Sequence, residues 1–163
     1  MEGTGAPPWR RWWRRWRRRA EAGHLDAAYS RGRQLEELGV PAVAEAWYRR
    51  AAEAGHLDAT YSLGRLLDED LGEPAEAEVW YRRAAGAGHL DAAYSLSRLL
   101  EDLGEPAEAE AWYRRAAEVG KFAEAGPAVE LLLKEQGRAA EAAAWRQAWY
   151  YGRPSDHPED AEG

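Results

Sequence analysis

The chain has 163 residues, enough for one domain, and no cysteine, which excludes a disulfide framework and thiolate chemistry. No run of 18 apolar residues occurs, so no segment reads as a membrane span, and with no signal peptide recognised a cytoplasmic location is expected. The net charge of −7 is unevenly spread: residues 9–19 hold seven Arg and no acid, whereas the chain after residue 19 carries 15 basic and 28 acidic groups. Arg outnumbers Lys by 20 to two, and Ile and Asn are absent. That usage favours GC-rich codons and points to a bacterial, high-GC source.

Residues 1–8, MEGTGAPP, are rich in Gly and Pro and are expected to be disordered. The next segment places Trp9, Trp12, Trp13 and Trp16 at i, i+3, i+4 and i+7, one face of a helix over residues 9–22. Arginines fill the rest, among them Arg10, Arg11, Arg14, Arg15, Arg17 and Arg18. Three readings stand. The segment is a half-repeat that caps the helices after it; it grips an anionic membrane surface or nucleic-acid phosphates, with Trp stacking on bases; or it is a low-complexity stretch or start-site artefact. No apolar region follows the arginines, which argues against a twin-Arg export signal.

From residue 23 the chain repeats itself. Trp47-Tyr48-Arg49-Arg50-Ala51-Ala52 returns as Trp80-Tyr81-Arg82-Arg83-Ala84-Ala85 and as Trp112-Tyr113-Arg114-Arg115-Ala116-Ala117, with a worn copy at Trp145. The tryptophans stand 33, 32 and 33 residues apart, and Gly23, Gly55, Gly88, Gly120 and Gly152 keep the same beat. Such a period is the mark of a stacked repeat array. The units run over about 23–54, 55–87, 88–119 and 120–152, and an acidic tail over 153–163 is expected to be disordered.

The third unit shows the plan. Ala93, Leu96, Ser97, Leu100 and Leu103 fall on one helical face, and Gly104 stops the helix. Pro106 suits the first turn of a second helix, which puts Ala109, Trp112, Tyr113 and Ala116 on one stripe before Gly120. Pro41 and Pro74 open the other second helices alike. Each unit is therefore an antiparallel helical hairpin, and no stretch alternates as a strand does.

The unit resembles a tetratricopeptide repeat. Leu63-Gly64, Ala77, Tyr81 and Ala84 fit that pattern, as do Leu96-Ser97, Ala109, Tyr113 and Ala116. The ending Ala-Ala-x-x-Gly before His-Leu-Asp-Ala is closer to the Sel-one-like branch, with a shorter first turn, Leu-Gly-Glu-Pro. The likeness covers residues 20–152 and implies an all-α fold: an α-solenoid of about four antiparallel helix-turn-helix repeats, period 32–33, wound as a right-handed superhelix. It also implies a scaffold without catalytic residues, whose first helices line a concave groove.

On those first helices Asp26, Tyr29, Arg33 and Glu36/Glu37 share a face, repeated by Asp58, Tyr61, Arg65 and Asp68/Glu69, and by Asp91, Tyr94, Arg98 and Glu101/Asp102. By the resemblance these ladders cross the groove floor, net −6, and suit a protein or peptide partner of basic or mixed charge. The plainer alternative is a solvated face on which each Arg pairs with nearby acids, each pair contributing ~0–1 kcal/mol. The Trp-Tyr pairs read as core, where a large apolar side chain contributes about 1.5–3 kcal/mol.

His24, His56 and His89 each follow a repeat glycine, but stacked hairpins set them ~10 Å apart, too far for one zinc whose nitrogens lie within ~2.1 Å. They read as helix starts. No phosphate loop, GxSxG or Cys nucleophile is present, so neither an enzyme nor a cofactor site is expected. The sequence reads as a non-catalytic protein-binding scaffold acting through its first helices. The alternative is a membrane-surface or nucleic-acid-associated protein acting through residues 9–19.

Overall fold

The computed structural model describes the backbone of residues 8–118 and 123–151, and the side chains of residues 23–118 and 123–151. The expected disordered ends (apart from Pro8), Gly120, Gly152 and the Arg/Trp side chains of residues 9–19 lie outside the described residues. Among the described residues there are eight α-helices and no strand: α1 (Pro8–Glu37), α2 (Pro41–Glu53), α3 (Leu57–Arg65), α4 (Pro74–Gly86), α5 (Leu90–Asp102), α6 (Pro106–Glu118), α7 (Ala125–Glu135) and α8 (Ala139–Tyr151). They form two compact units, one ending at Ala84 and one starting at Ala85. The first holds the hairpins α1/α2 and α3/α4, the second α5/α6 and α7/α8.

The chain's own punctuation makes these elements. Pro41, Pro74 and Pro106 are the first residues of α2, α4 and α6, where a missing N–H costs nothing and φ is already helical. Within a hairpin the first helix closes on a glycine in the left-handed region, as at Gly104 (φ 78). The next amide bonds back to the carbonyl five residues earlier: Val40 to Leu35, Glu105 to Leu100, and Arg138 to Leu133. In the second hairpin the reach is six, from Glu73 to Leu67. That hairpin has one residue more, and Leu66–Asp70 absorbs it as a single π-helical turn, with Leu71 N–H bonded to Leu66 O at 3.1 Å.

Between hairpins the turn is built by glycine and histidine together. Gly55 (φ 93) and Gly88 (φ 94) reverse the chain. His56 Nδ1 then accepts the Ala59 N–H at 3.1 Å, and His89 Nδ1 the Ala92 N–H at 3.2 Å, as N-caps of α3 and α5. The expected helix starts at these histidines are thus side-chain caps.

Gly23 and His24 carry the same letters but make no turn. α1 runs through them as one helix of 30 residues, where the repeat pattern expected a break between residues 9–22 and the array. The reason lies downstream. α3 and the π-turn that follows it pack on α2 and bury Ala59, Leu63 and Leu66 completely. The matching positions of α1 are Ala27, Arg31 and Gln34, all exposed, with Arg31 donating to Gln34 at 3.2 Å. A polar face offers no seam on which a preceding helix could fold back, so nothing compensates for a reversal at Gly23.

The core is the seam inside and between hairpins. Within the first unit α1 packs on α2 and α2 on α3, and within the second α5 packs on α6, α6 on α7 and α7 on α8. Tyr48, Tyr81 and Tyr113 are buried there among alanines such as Ala44, Ala52, Ala77, Ala84, Ala109 and Ala116. The rings need space on the facing helix: a Cβ at Gly32 would stand 2.6 Å from the Tyr48 ring, and one at Gly64 2.8 Å from Tyr81. Trp80 is buried with Arg49 and Arg83 over its ring, at 5.7 and 5.4 Å from the centroid. The Trp-Tyr-Arg-Arg phrase is architecture.

The candidate interaction face of the first helices

Each first helix carries one Asp-Tyr-Arg set. Asp26, Tyr29 and Arg33 lie on α1; Asp58, Tyr61 and Arg65 on α3; Asp91, Tyr94 and Arg98 on α5. Asp26, Arg33, Asp58 and Arg98 are exposed, and the other five are half-buried. The helical spacing does put each set on one side of its helix, but the groups are engaged to very different degrees.

The tyrosines pack inward as well as outward. Tyr29 lies against Tyr48 with ring centroids 5.9 Å apart, Tyr61 against Tyr81 at 6.1 Å, and Tyr94 against Tyr113 at 5.7 Å. Tyr29 also stacks on His56 at 4.8 Å. Since His56 Nδ1 accepts the cap, its Nε2–H is the donor to Asp26 Oδ1 at 3.1 Å. Asp26, Tyr29 and His56 thereby tie the first hairpin to the second. From the sequence this histidine reads only as a turn residue or helix start.

The acids divide as well. Tyr48 donates to Glu36 Oε2 at 2.6 Å, Tyr113 to Glu101 Oε2 at 3.1 Å, and Tyr81 to Asp68 Oδ2 at 3.5 Å. One acid of each set thus anchors the hairpin from within. Arg65 donates to Glu36 Oε1 across the hairpins and to Glu69 at 3.2 Å. Burial works against the Glu36 carboxylate, but the Tyr48 and Arg65 hydrogen bonds outweigh it and hold the group below its ordinary value. Burial also works against the Arg65 charge, and the bonds to Glu36 and Glu69 outweigh it, so Arg65 stays protonated. Burial and the Glu36 bond together push the Tyr48 phenol up, so it stays a donor throughout the physiological range.

Arg33 and Glu37 are the loose pair, 3.7 Å apart with side chains 60% and 70% exposed. With Glu36 and Arg65 they line an open pocket of about 350 Å³ on the first unit. Its floor is a satisfied Arg65–Glu36 pair, and its wall is an ion pair that contributes ~0–1 kcal/mol and opens readily. The net charge of −6 counted along the three ladders therefore overstates what meets a partner. Glu36, Asp68, Glu101 and Asp26 are held by Tyr or His, and what the pocket presents is one cation and one anion side by side.

On the second helices Arg49 bridges Glu45 at 2.6 Å and Glu76 at 2.7 Å, joining α2 to α4. The Glu76 carboxyl is held down by the Arg49 bond and by Trp80. No cluster of three or more potential metal ligands occurs among the described residues, and no described helix is long and apolar enough to cross a membrane. The alternative basic site, Arg10, Arg11, Arg14, Arg15, Arg17 and Arg18, sits on the first half of α1 with side chains outside the described residues.

Residues 90–119 match the family model of the tetratricopeptide repeat. No curated protein matches the chain. Among solved structures the chain is similar to a crystal structure of MamA, with 20% identity, 80% of this chain and 79% of that chain covered, and a TM-score of 0.65. A crystal structure of MamA protein gives 18% identity, coverage of 85% and 82%, and a TM-score of 0.63. At such identities the likeness speaks for the fold. The helices α5 and α6 thus carry a tetratricopeptide-repeat match, and the chain has an all-α helical-repeat fold of the solenoid class.

Proposed function

We propose that this chain is a non-catalytic scaffold that binds a protein or peptide along its first helices, and that in the first unit the partner enters the pocket of Arg33, Glu36, Glu37 and Arg65. One observation carries the reading. The pocket is open, its Arg65–Glu36 pair is charge-satisfied, and it is also lined by an exposed Arg33–Glu37 pair held too weakly to resist exchange. A partner segment with an acid and a base close together can replace that pair by two intermolecular ones. The half-buried Tyr29 and Tyr61 beside it offer rigid aromatic area at low entropy cost. A tetratricopeptide-type repeat, Sel-one-like in its Ala-Ala-x-x-Gly endings, in a bacterial cytoplasm fits the same reading.

The test must spare the tyrosines, because each supports its hairpin. After partner capture from the native host and identification by mass spectrometry, binding of the purified partner is measured to the chain and to Arg33→Glu and Glu37→Arg. Each reversal should weaken binding about tenfold with an unchanged melting temperature, and the double reversal should restore part of it. Removal of residues 1–19 should leave affinity intact. Full affinity in both reversals, with loss on removing residues 1–19, would transfer the function to the Arg/Trp segment.

A further inference from the structure

The second unit carries an aromatic pocket that the first-helix reading does not use. Ala117 and Glu118, the last residues of α6, and Trp145, Ala148 and Trp149 of α8 line an open space of about 210 Å³. This is smaller than the ~300–1,000 Å³ of a drug-sized site, and it suits a single side chain.

Both indoles are fixed. Trp145 Nε1–H donates to Gly126 O at 2.8 Å. Trp149 lies over Gly126, whose missing Cβ makes room for the ring. The two rings are nearly parallel, 14° apart in plane with centroids 6.1 Å apart. Trp149 occupies the repeat position held in the first three hairpins by Ala51, Ala84 and Ala116, which are completely buried, so those hairpins have no indole there.

Its chemistry favours a cation. Indole faces attract cations, and the Trp145 ring already holds one: the Arg114 guanidinium lies 4.7 Å from its centroid, with its own charge answered by Glu110 at 2.9 Å. Glu118, which lines the same space, is exposed. The pocket also lies where α6 and α8 end, and helix C-termini carry partial negative charge. Aromatic walls, a carboxylate and two helix ends thus converge on one small space.

We propose that the pocket of Trp145, Trp149 and Glu118 receives an arginine side chain of a protein partner, its guanidinium against the indoles and paired with Glu118. The planar guanidinium matches parallel rings and a carboxylate better than an ammonium does. Binding here is independent of the first-helix face.

The test uses the full chain and two small probes, N-acetyl-arginine amide and its uncharged isostere N-acetyl-citrulline amide. The Trp145 and Trp149 indole N–H resonances should shift on titration with the arginine probe, with a Kd on the order of millimolar for a lone side chain. The citrulline probe and Glu118→Gln should each weaken binding about fivefold or more. Trp149→Ala, which puts the residue of the other repeats opposite Gly126, should abolish the shifts at Trp145, with the melting transition read alongside and Glu118→Gln as the variant that leaves the ring packing untouched. Equal affinity for citrulline, or binding that survives Trp149→Ala, would overturn the proposal. So would concentration-dependent self-association that Trp149→Ala abolishes, because the occupant would then be a second copy of the chain.

Discussion

The first three hairpins and the last solve the same packing problem with different chemistry. In α1/α2, α3/α4 and α5/α6 a buried tyrosine of the second helix donates to an acid of the first and meets a second tyrosine. A small residue, Gly32, Gly64 or Ser97, stands at the matching place on the facing helix. In α7/α8 that place holds Glu130, and the tyrosine is replaced by Arg146, 3.6 Å from Glu130, which also pairs with Lys134 at 2.6 Å. The tyrosine seam is buried and closely fitted; the terminal one is ionic, with the Arg146 side chain 56% exposed. A fitted seam tolerates little change in volume, whereas an ionic one tolerates volume change and responds to charge.

The largest expected effect breaks the fitted seam. Gly64→Val places a branched side chain against the Tyr81 ring, where even a Cβ would be 2.8 Å away. The loss should be about 3 kcal/mol, near the upper end for overpacking a core. The matching change in the last hairpin, Glu130→Val, removes only partly exposed ion pairs and should cost about 1 kcal/mol or less. Urea unfolding of the two variants reads the difference. Equal costs would erase the distinction between the two seams.

The tyrosine hydroxyls come next. Tyr48→Phe leaves a half-buried, ionised Glu36 with one donor fewer and should cost about 1.5–3 kcal/mol, the range for hydrogen bonds to charged groups. Tyr113→Phe should cost less, at 3.1 Å, and Tyr81→Phe least, at 3.5 Å. Glu36 also sets a pH signature. Its carboxyl is held below the ordinary value of 4.5, so its contribution is fully present above that pH. It is lost as pH falls through the lowered folded value. Tyr48→Phe should therefore flatten the acid limb of the stability profile, and an unaltered limb would refute the assignment.

A transplant sharpens the comparison at about the 1 kcal/mol level. Arg146→Tyr alone loses an ion pair without gaining a seam, and Glu130→Gly alone adds backbone entropy to the unfolded chain. Together they rebuild the fit of ring on glycine of the second hairpin, though not its tyrosine–acid bond, so a double-mutant cycle should show favourable coupling of about 1 kcal/mol. Additive effects would mean that the terminal seam is set by Trp149 on Gly126 rather than by this pair.

Most of the fold was legible because its signals are local. Glycine before a turn, proline at a helix start and a tryptophan every 32 or 33 residues each act within a few residues of themselves. The ladder was legible as a periodicity but not as a surface. Tyr29, Tyr61 and Tyr94 are engaged by tyrosines about 19 residues further on, and no local signal distinguishes a ring facing a partner from one facing the next helix. The clue was the small residue three positions after each of them, Gly32, Gly64 and Ser97, which makes room for a ring. The straight course of α1 was legible too, in Arg31 and Gln34 standing where the second hairpin has Leu63 and Leu66. The letters of Gly23-His24 suggested a turn, and the polar face downstream decided against it.

The smallest effect concerns one residue of length. The first and third hairpins place nine residue steps between the small residue and the proline, Gly32 to Pro41 and Ser97 to Pro106, and the second places ten, Gly64 to Pro74. The surplus lies in Asp68-Glu69-Asp70, and the π-turn there keeps the hairpin closed by reaching one residue further. It also sets the acid thirteen residues before its tyrosine rather than twelve, and there the bond is longest. Deleting Glu69 should convert the π-turn to α-helix and bring Asp68 to the Glu36 and Glu101 register. The Arg65–Glu69 pair, with Glu69 56% exposed, is a small loss at ~0–1 kcal/mol. Net stability should change by less than about 1 kcal/mol, because the shortened bond offsets the lost pair. The sharper readout is the cost of Tyr81→Phe, which in the deletion background should rise toward that of Tyr113→Phe. If it stays small, the long Tyr81–Asp68 bond is set by the packing of the Tyr81 ring against Gly64, and the extra residue is a passive insertion.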